Sequence, residues 1–252
     1  MADRMGSTLQ YLLDVRERRG AGYLTLLDPD RLSLTQLEER AVMCAEAGAD
    51  AILVGTSLML STAKNASVFQ RLREVVDMPV ISFPGDAGQV VPTADAIFFL
   101  SMISGRNPEL LIGQQVRAAP LLKEYGVEVI STGYMLIESG SLTSTEYMSS
   151  TRPMPRNKQD IAMAHALAAE FLGMKLIYLE TGSGAGEPVP DALIRAVVDY
   201  ITLPVVVGGG IRDAATARQK VEAGAGFVVT GTAVESDPGR LRDLSAAVHI
   251  RE

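Results

Sequence analysis

Glu180 ends a short apolar run and is followed at once by a glycine-rich turn, "YLETGSGAG" (178–186), which contains neither lysine nor arginine. Two comparable turns lie further on, "VVVGGGIR" (205–212) and "VVTGTAVE" (228–235). Glycines allow backbone N–H groups to approach an anion closely, so the three turns together outline a phosphate cradle that needs no lysine. A carboxylate beside that cradle has a different task. It accepts a proton from a hydroxyl on the same ligand, and repulsion from the phosphate lifts its pKa and favours service as a base. The bland readings are tight turns without a ligand and a Glu180 that only orients a hydroxyl or a neighbouring loop.

A second group lies near the start of the chain. In "TLLDPDR" (25–31) the two-residue alternation of a strand puts Leu24, Leu26 and Asp28 on one side, and Pro29 enforces a sharp exit. Asp28 either ligates a hard cation such as Mg2+, which takes one or two carboxylates with phosphate oxygens and water, or caps the helix expected near Ser33. Ser57, in "LVGTSLML" (53–60), either adds a hydroxyl to that group or caps the next turn. Arg152 and Arg156, in the proline-stiffened "TRPMPRNK" (151–158), either reach diphosphate oxygens or belong to a solvated loop. Lys175 precedes the run that ends at Glu180, so it is expected at the opposite end from the site, which argues against Schiff-base chemistry. His165 is read as a structural histidine on an outer helix, and Cys44, the single cysteine, as a small buried side chain in "LEERAVMCAEAGA".

The elements that must hold these residues are legible as alternation. Eight short apolar runs, 23–27, 51–54, 80–83, 96–100, 128–132, 176–180, 205–207 and 227–230, are separated by helical patterns, several of which end at glycine. Successive βα units over 252 residues point to one α/β domain spanning 1–252, a TIM barrel, with an open doubly wound sheet as the alternative. Glu180 and Asp28 then end their strands at the C-terminal mouth, where barrel active sites sit. One crossover is irregular: "PGDAGQVVPTAD" (84–95) is too rich in proline and glycine for a helix, so the helix between strands 3 and 4 is expected to be absent or replaced. The gap leaves either an apolar groove or a short covering loop. A second irregularity is "GYMLIESGSLTSTEYMSSTRPMPRN" (133–157), read as a long lid or binding loop.

Composition narrows the function. A net charge of -7 argues against nucleic-acid binding and leaves room only for a local anion pocket. The sequence shows neither an apolar run of membrane-span length nor the h-region of a signal peptide, so a cytoplasmic protein without stable membrane insertion is expected.

The ordered set "LTLLDPDR", "LVGTS", "STGYMLIESGS", "TRPMPRNKQDIAMAHALAAEFLGMKLIYLETGSGAGEPVP", "VVVGGGIR" and "VVTGTAVE" resembles the geranylgeranylglyceryl phosphate synthase family, including its bacterial relatives, from about residue 23 to 235. The resemblance implies a modified TIM barrel, Mg2+, and transfer of a polyprenyl group, with geranylgeranyl as the first choice, from its diphosphate to the C3 hydroxyl of sn-glycerol 1-phosphate. It implies Asp28 and Ser57 as Mg2+ ligands. It implies Tyr178, Leu179, Glu180, Thr181, Gly182, Ser183, Gly184, Gly209, Gly210, Gly231 and Thr232 as the glycerol-phosphate site, with Tyr178 and Glu180 catalytic, and a homo-oligomer, dimer or hexamer. The missing helix then becomes the groove for the prenyl chain. Thr56 and Thr181 depart from the family's usual "GGS" and "YLEAGSG", and "SGRNPELLIGQQ" (104–115) lacks the aromatic residues that relatives carry there, which leaves prenyl length open. Two other functions compete: a barrel isomerase of phosphorylated sugars, which needs neither Mg2+ nor a groove, and a non-catalytic phosphometabolite-binding protein.

Overall fold

A computed structural model describes residues 7–56, 62–232 and 237–251. Each of the eight apolar runs forms a strand: β1 (Gly22–Leu27), β2 (Ala51–Val54), β3 (Val80–Ser82), β4 (Ala96–Ser101), β5 (Glu128–Leu136), β6 (Leu176–Glu180), β7 (Val205–Gly208) and β8 (Phe227–Thr230). All pair in parallel with their neighbours, and β8 pairs back onto β1 through Gly22↔Phe227 to Thr25↔Thr230, which closes the barrel and excludes an open sheet. Alternation sends Leu24, Leu53, Ile81, Phe98, Ile130, Tyr178 and Val206 inward. Their neighbours Ile52, Val54 and Ile97, and on the other side Ile177, Leu179 and Val207, pack outward against helices. Burial of both faces is why the strands read as continuous apolar runs.

Helices α1 (Ser7–Arg19), α2 (Leu34–Glu46), α3 (Thr62–Val75), α4 (Gln114–Tyr125), α5 (Ser144–Ser149), α6 (Gln159–Phe171), α7 (Asp191–Val198), α8 (Ala214–Glu222) and α9 (Leu241–Val248) surround the strands. Local chemistry sets their starts. Ser33 and Gln36 form a reciprocal capping box on α2, and the Asp213 carboxylate accepts the Thr216 N–H at 2.8 Å on α8. Between β3 and β4 no α-helix forms; residues 83–95 make only a 3-10 turn, Ala87–Gln89, capped by Asp86. The expected gap in the outer ring is therefore present. Strand β5 is longer than its sequence suggested, because Tyr134, Met135 and Leu136 continue the ladder onto Tyr178, Leu179 and Glu180. The first residues of the expected lid are thus barrel wall.

The N-terminal end of the barrel is stoppered. Leu12 of α1 is buried with the inner side chains, and the Glu128 carboxylate accepts the N–H groups of Thr8 (2.7 Å) and Leu9 (3.0 Å), satisfying donors at the start of the helix. Asp50, 2% exposed, accepts the Tyr23 N–H at 2.7 Å, pairs with Arg19 at 3.0 Å and meets His249 Nε2 at 2.8 Å, which ties α1 and the end of α9 to the same face. Lys175 is exposed at this end, before β6. His165 lies on α6 outside the barrel, with Nδ1 2.7 Å from the Ile161 carbonyl oxygen. Cys44 is buried, and burial pushes its thiol up to about 11, so it is inert.

Candidate active site

At the opposite, C-terminal mouth the strand ends surround a cavity of about 410 Å3. Its polar half comes from the β6, β7 and β8 turns, which bring Gly182, Ser183, Gly184, Gly209, Gly210, Gly231 and Thr232 to one lining. Gly209 and Gly210 hold φ of 81° and 68°, in the left-handed region. A Cβ on Gly209 would overlap Glu180 Oε1 and Thr181 Oγ1, and one on Gly210 would sit 2.7 Å from the Pro188 nitrogen, so only glycine permits this packing. Among the described residues, the N–H groups of Ser183, Gly184, Gly209, Gly210 and Gly231 take no intramolecular partner. Unpartnered donors gathered on one wall are the structural content of an anion cradle.

Glu180 lies beside that wall and is 7% exposed. Burial raises its carboxyl to about 7; the Gly182 N–H, which donates to Oε1 at 2.6 Å, the neighbouring Tyr178 hydroxyl and the Thr181 N–H pull the other way and only partly offset it. Repulsion from a bound phosphate is therefore not required for the lift that the sequence suggested. Among the described residues no cation forms an ion pair with Glu180. Its second oxygen, Oε2, and the Tyr178 hydroxyl both crowd the bare face of Gly208, where a Cβ would lie 2.6 Å and 2.5 Å from them. The Tyr178 hydroxyl is buried without a partner in hydrogen-bond geometry, and burial together with the Glu180 charge holds it well above the ordinary tyrosine range. It therefore serves as a neutral phenol.

The second half of the mouth is built by β1, β2 and β3. Asp28 lines the cavity; its Oδ1 accepts the Asp30 N–H at 2.9 Å, and its Oδ2 is 3.3 Å from Arg31 Nε. The cap of α2 belongs to Ser33, so the capping alternative for Asp28 falls away. With Thr56 on the same lining and its hydroxyl donating to Asp30 at 3.0 Å, this corner offers a carboxylate and hydroxyl oxygens of the kind a hard cation takes when substrate phosphates complete its shell. Among the described residues no cluster of three His, Cys, Asp or Glu is present that would hold a metal unaided. Ser57 lies outside the described residues.

From this corner the cavity turns out of the barrel through the gap left by the missing helix. Phe83, Val90, Ile97, Phe99, Leu110 and Ala118 line it there, so an apolar groove runs over the outer face of β4 towards α4.

Several expected site residues take other places. Leu179 packs into the outer core, as alternation on β6 requires, and Thr181 is buried behind Gly209. Arg156 does not line the cavity: it donates to the carbonyls of Glu138 (2.8 Å) and Pro188 (3.0 Å) and pairs with Glu187 at 2.9 Å, pinning two loops together. Arg152 is exposed in a separate shallow hollow with Tyr147. Among the described residues the cations on the cavity lining are instead Arg31 and Arg212, the latter donating to the Ala185 carbonyl at 2.8 Å. Both end motifs of the site, "TLLDPDR" and "VVVGGGIR", in which the carboxylate and the glycines are the stronger sequence signals.

Residues 13–248 match the PcrB family. The chain belongs to that family. The geranylgeranylglyceryl phosphate synthase of Chitinophaga pinensis is 42% identical over 237 residues, 94% of each chain, and that of Flavobacterium johnsoniae is 45% identical over 90% of this chain and 93% of its own. Among solved structures, (S)-3-O-geranylgeranylglyceryl phosphate synthase from Thermoplasma acidophilum, in complex with substrate sn-glycerol-1-phosphate, superposes with a TM-score of 0.92 at 30% identity, covering 97% of this chain and 99% of that one. Within this PcrB-family barrel, Thr181 leaves the cradle intact because its side chain lies behind the lining rather than on it.

Proposed function

We propose that this protein is a prenyltransferase that joins a polyprenyl diphosphate, geranylgeranyl diphosphate in the first instance, to the C3 hydroxyl of sn-glycerol 1-phosphate. The observation that carries this reading is the continuity of one cavity from a main-chain anion cradle, past a buried carboxyl, into an apolar groove. The acceptor phosphate fits the cradle, the donor chain fits the groove, and the two meet beside Glu180.

Chemically, the C3 oxygen forms a bond to C1 of the donor while the C1–O bond to diphosphate breaks. The hydroxyl proton passes to Glu180 Oε2, the oxygen not committed to the Gly182 N–H. A carboxyl raised to about 7 is well suited to this, because a more acidic group would be too weak a base. The Tyr178 phenol, which crowds the bare face of Gly208 together with Oε2, confines the carboxyl by packing beside it. Mg2+ bound by Asp28, with Ser57 and substrate oxygens, would neutralise charge developing on the diphosphate. Arg31, on the same corner, supports that role better than Arg152 or Arg156.

A phosphosugar isomerase would share the cradle but has no use for an apolar groove across β4. A binding protein has no use for a buried, unpaired carboxyl that opposes its own ionisation. We also propose a cytoplasmic homo-oligomer, dimer or hexamer; the exposure of Phe171 (81%) and Leu172 (74%) at the end of α6 favours association, and no helix among the described residues is long and apolar enough to cross a membrane. Light scattering measures the assembly. The activity is tested by incubating protein and Mg2+ with labelled sn-glycerol 1-phosphate and donors of three to seven isoprene units, with sn-glycerol 3-phosphate as control. A product confined to the 1-phosphate is expected; no product with any donor from folded protein overturns the assignment.

A further inference from the structure

We propose that Phe83 is a catalytic residue whose ring face stabilises the allylic cation developing at C1 of the prenyl donor as diphosphate departs. This rests on the prenyl-transfer reading above and specifies how its bond-breaking step is assisted.

The position of Phe83 carries the inference. It directly follows β3 at the C-terminal mouth. On one side it abuts Gly55: a Cβ added there would lie 3.1 Å from Phe83 Cβ and overlap the Phe83 carbonyl. Gly55 and Thr56 share a corner of the lining with Asp28, the end suited to diphosphate. On another side the Phe83 ring centroid is 5.3 Å from that of Tyr178 and 6.3 Å from that of Tyr134, with Phe98 edge-on at 6.2 Å. Tyr178 belongs to the Glu180 end, where the hydroxyl is deprotonated. The third direction is the apolar groove. The reacting carbon must lie between the leaving oxygen and the attacking oxygen with its chain in the groove, and Phe83 borders all three regions.

Within the aromatic cluster the accessible ring is also identifiable. Tyr134 and Tyr178 stack on each other at 5.5 Å and touch the cavity lining only with almost fully buried rings, whereas Phe83, on the same lining, is half-buried and is the most accessible ring of the three. The tyrosines form the support and Phe83 the working surface. Water-poor surroundings strengthen the attraction between a cation and the negative face of an aromatic ring, which acts over about 6 Å from the ring centre.

The step balances as follows. The C1–O bond breaks with its electron pair leaving on diphosphate, the positive charge spreads over C1 and C3 of the allyl unit beneath the ring, and the acceptor oxygen supplies the pair for the new C1–O bond. The proton goes to Glu180. Phe83 takes part in no bond; it lowers the energy of the charge-separated state only.

The test replaces Phe83 with 4-fluoro-, 3,5-difluoro- and pentafluorophenylalanine, which keep the ring while progressively draining its face of negative potential, alongside Phe83→Leu and Phe83→Tyr. Rates at saturating donor and acceptor should fall stepwise along the fluorine series, by about 30-fold at pentafluoro. Phe83→Leu should match the largest loss, Phe83→Tyr should retain most activity, and the donor KM should stay roughly constant. A flat fluorine series, or a loss confined to the donor KM, assigns Phe83 to the groove wall and overturns the inference. A donor fluorinated at C2, which destabilises the allylic cation, should be slowed strongly by the wild-type protein; insensitivity to it also overturns the inference. Wild-type protein that makes no prenyl ether from any unmodified donor removes the underlying reaction instead, so the two failures are told apart.

Discussion

The replacement Glu180→Gln removes the proposed base while keeping its shape, and the structure assigns it opposite effects on rate and stability. The amide oxygen can still accept the Gly182 N–H, so the strand end should hold its geometry. Loss of a positioned base should lower turnover about 10²- to 10⁴-fold. Stability should move the other way at neutral pH. In the unfolded chain the carboxyl titrates near 4.5, and in the folded protein near 7 because burial disfavours the charge. A folded value above the unfolded one means the acid form is the one the fold accommodates. The native protein is therefore unpenalised below pH 4.5 and loses stability as pH rises from there through 7. The gap between 4.5 and about 7 amounts to roughly 3 kcal/mol at pH 8. Glutamine cannot ionise, so the variant should be about 3 kcal/mol more stable than wild type at pH 8 and nearly equal to it at pH 4. Urea unfolding across pH 4 to 8, paired with prenyl transfer assays at each pH, measures both. Wild-type turnover should rise roughly tenfold between pH 6 and pH 8 as Glu180 deprotonates. Near-normal turnover in the variant, or a stability difference that does not grow with pH, would refute the reasoning.

Gly209→Ala should abolish glycerol-phosphate binding by calorimetry and lower stability by at least about 2 kcal/mol, since its Cβ meets Glu180 and Thr181 at positive φ; Gly184→Ala, with open space around its Cβ, should cost only about 1 kcal/mol. Asp28→Asn should shift the Mg2+ titration of prenyl transfer to higher concentration, and an unchanged midpoint would exclude Asp28 as a ligand. Asp50→Ala should destabilise the fold by about 2 to 3 kcal/mol in urea melts, because the buried Tyr23 N–H loses its partner and the half-exposed Arg19 loses its counter-charge, while the folded fraction keeps its specific activity.

Strand and helix order was legible because each element announces itself locally: β-branched runs, glycine stops, and a proline-rich interval where a helix would not form. Glu180 and Asp28 were legible for a simple geometric reason, since alternation fixes which side of a strand a residue takes and strand ends fix the mouth. What escaped was decided by partners remote in sequence. Nothing around Glu128 hinted that it would hold the first turn of α1, some 120 residues earlier. The place of Arg156 is not legible in its loop, because a loop sequence does not reveal which carbonyls will capture a guanidinium group, and nothing local shows that Arg152 faces a separate hollow. The continuation of β5 through Leu136 depended on how far β6 extends alongside it. The neighbouring anion site suggests a lift on Glu180 from sequence, but its main cause, burial, is a property of the assembled barrel.

The proposed phosphate cradle is made of main-chain N–H groups, those of Ser183 and four glycines, while the groove is made of side chains on β4, α4 and the turn after β3. These two constructions age differently under mutation. A donor that belongs to the peptide group has no side chain to exchange, so acceptor recognition changes only when the backbone path itself is redrawn. The groove can be recut one substitution at a time without disturbing the turns on the other side of the mouth. Divergence within such barrels should therefore proceed quickly in the length of chain transferred and slowly in the molecule that receives it, and a designer seeking new products has the cheaper handle at Ile97, Phe99 and Ala118.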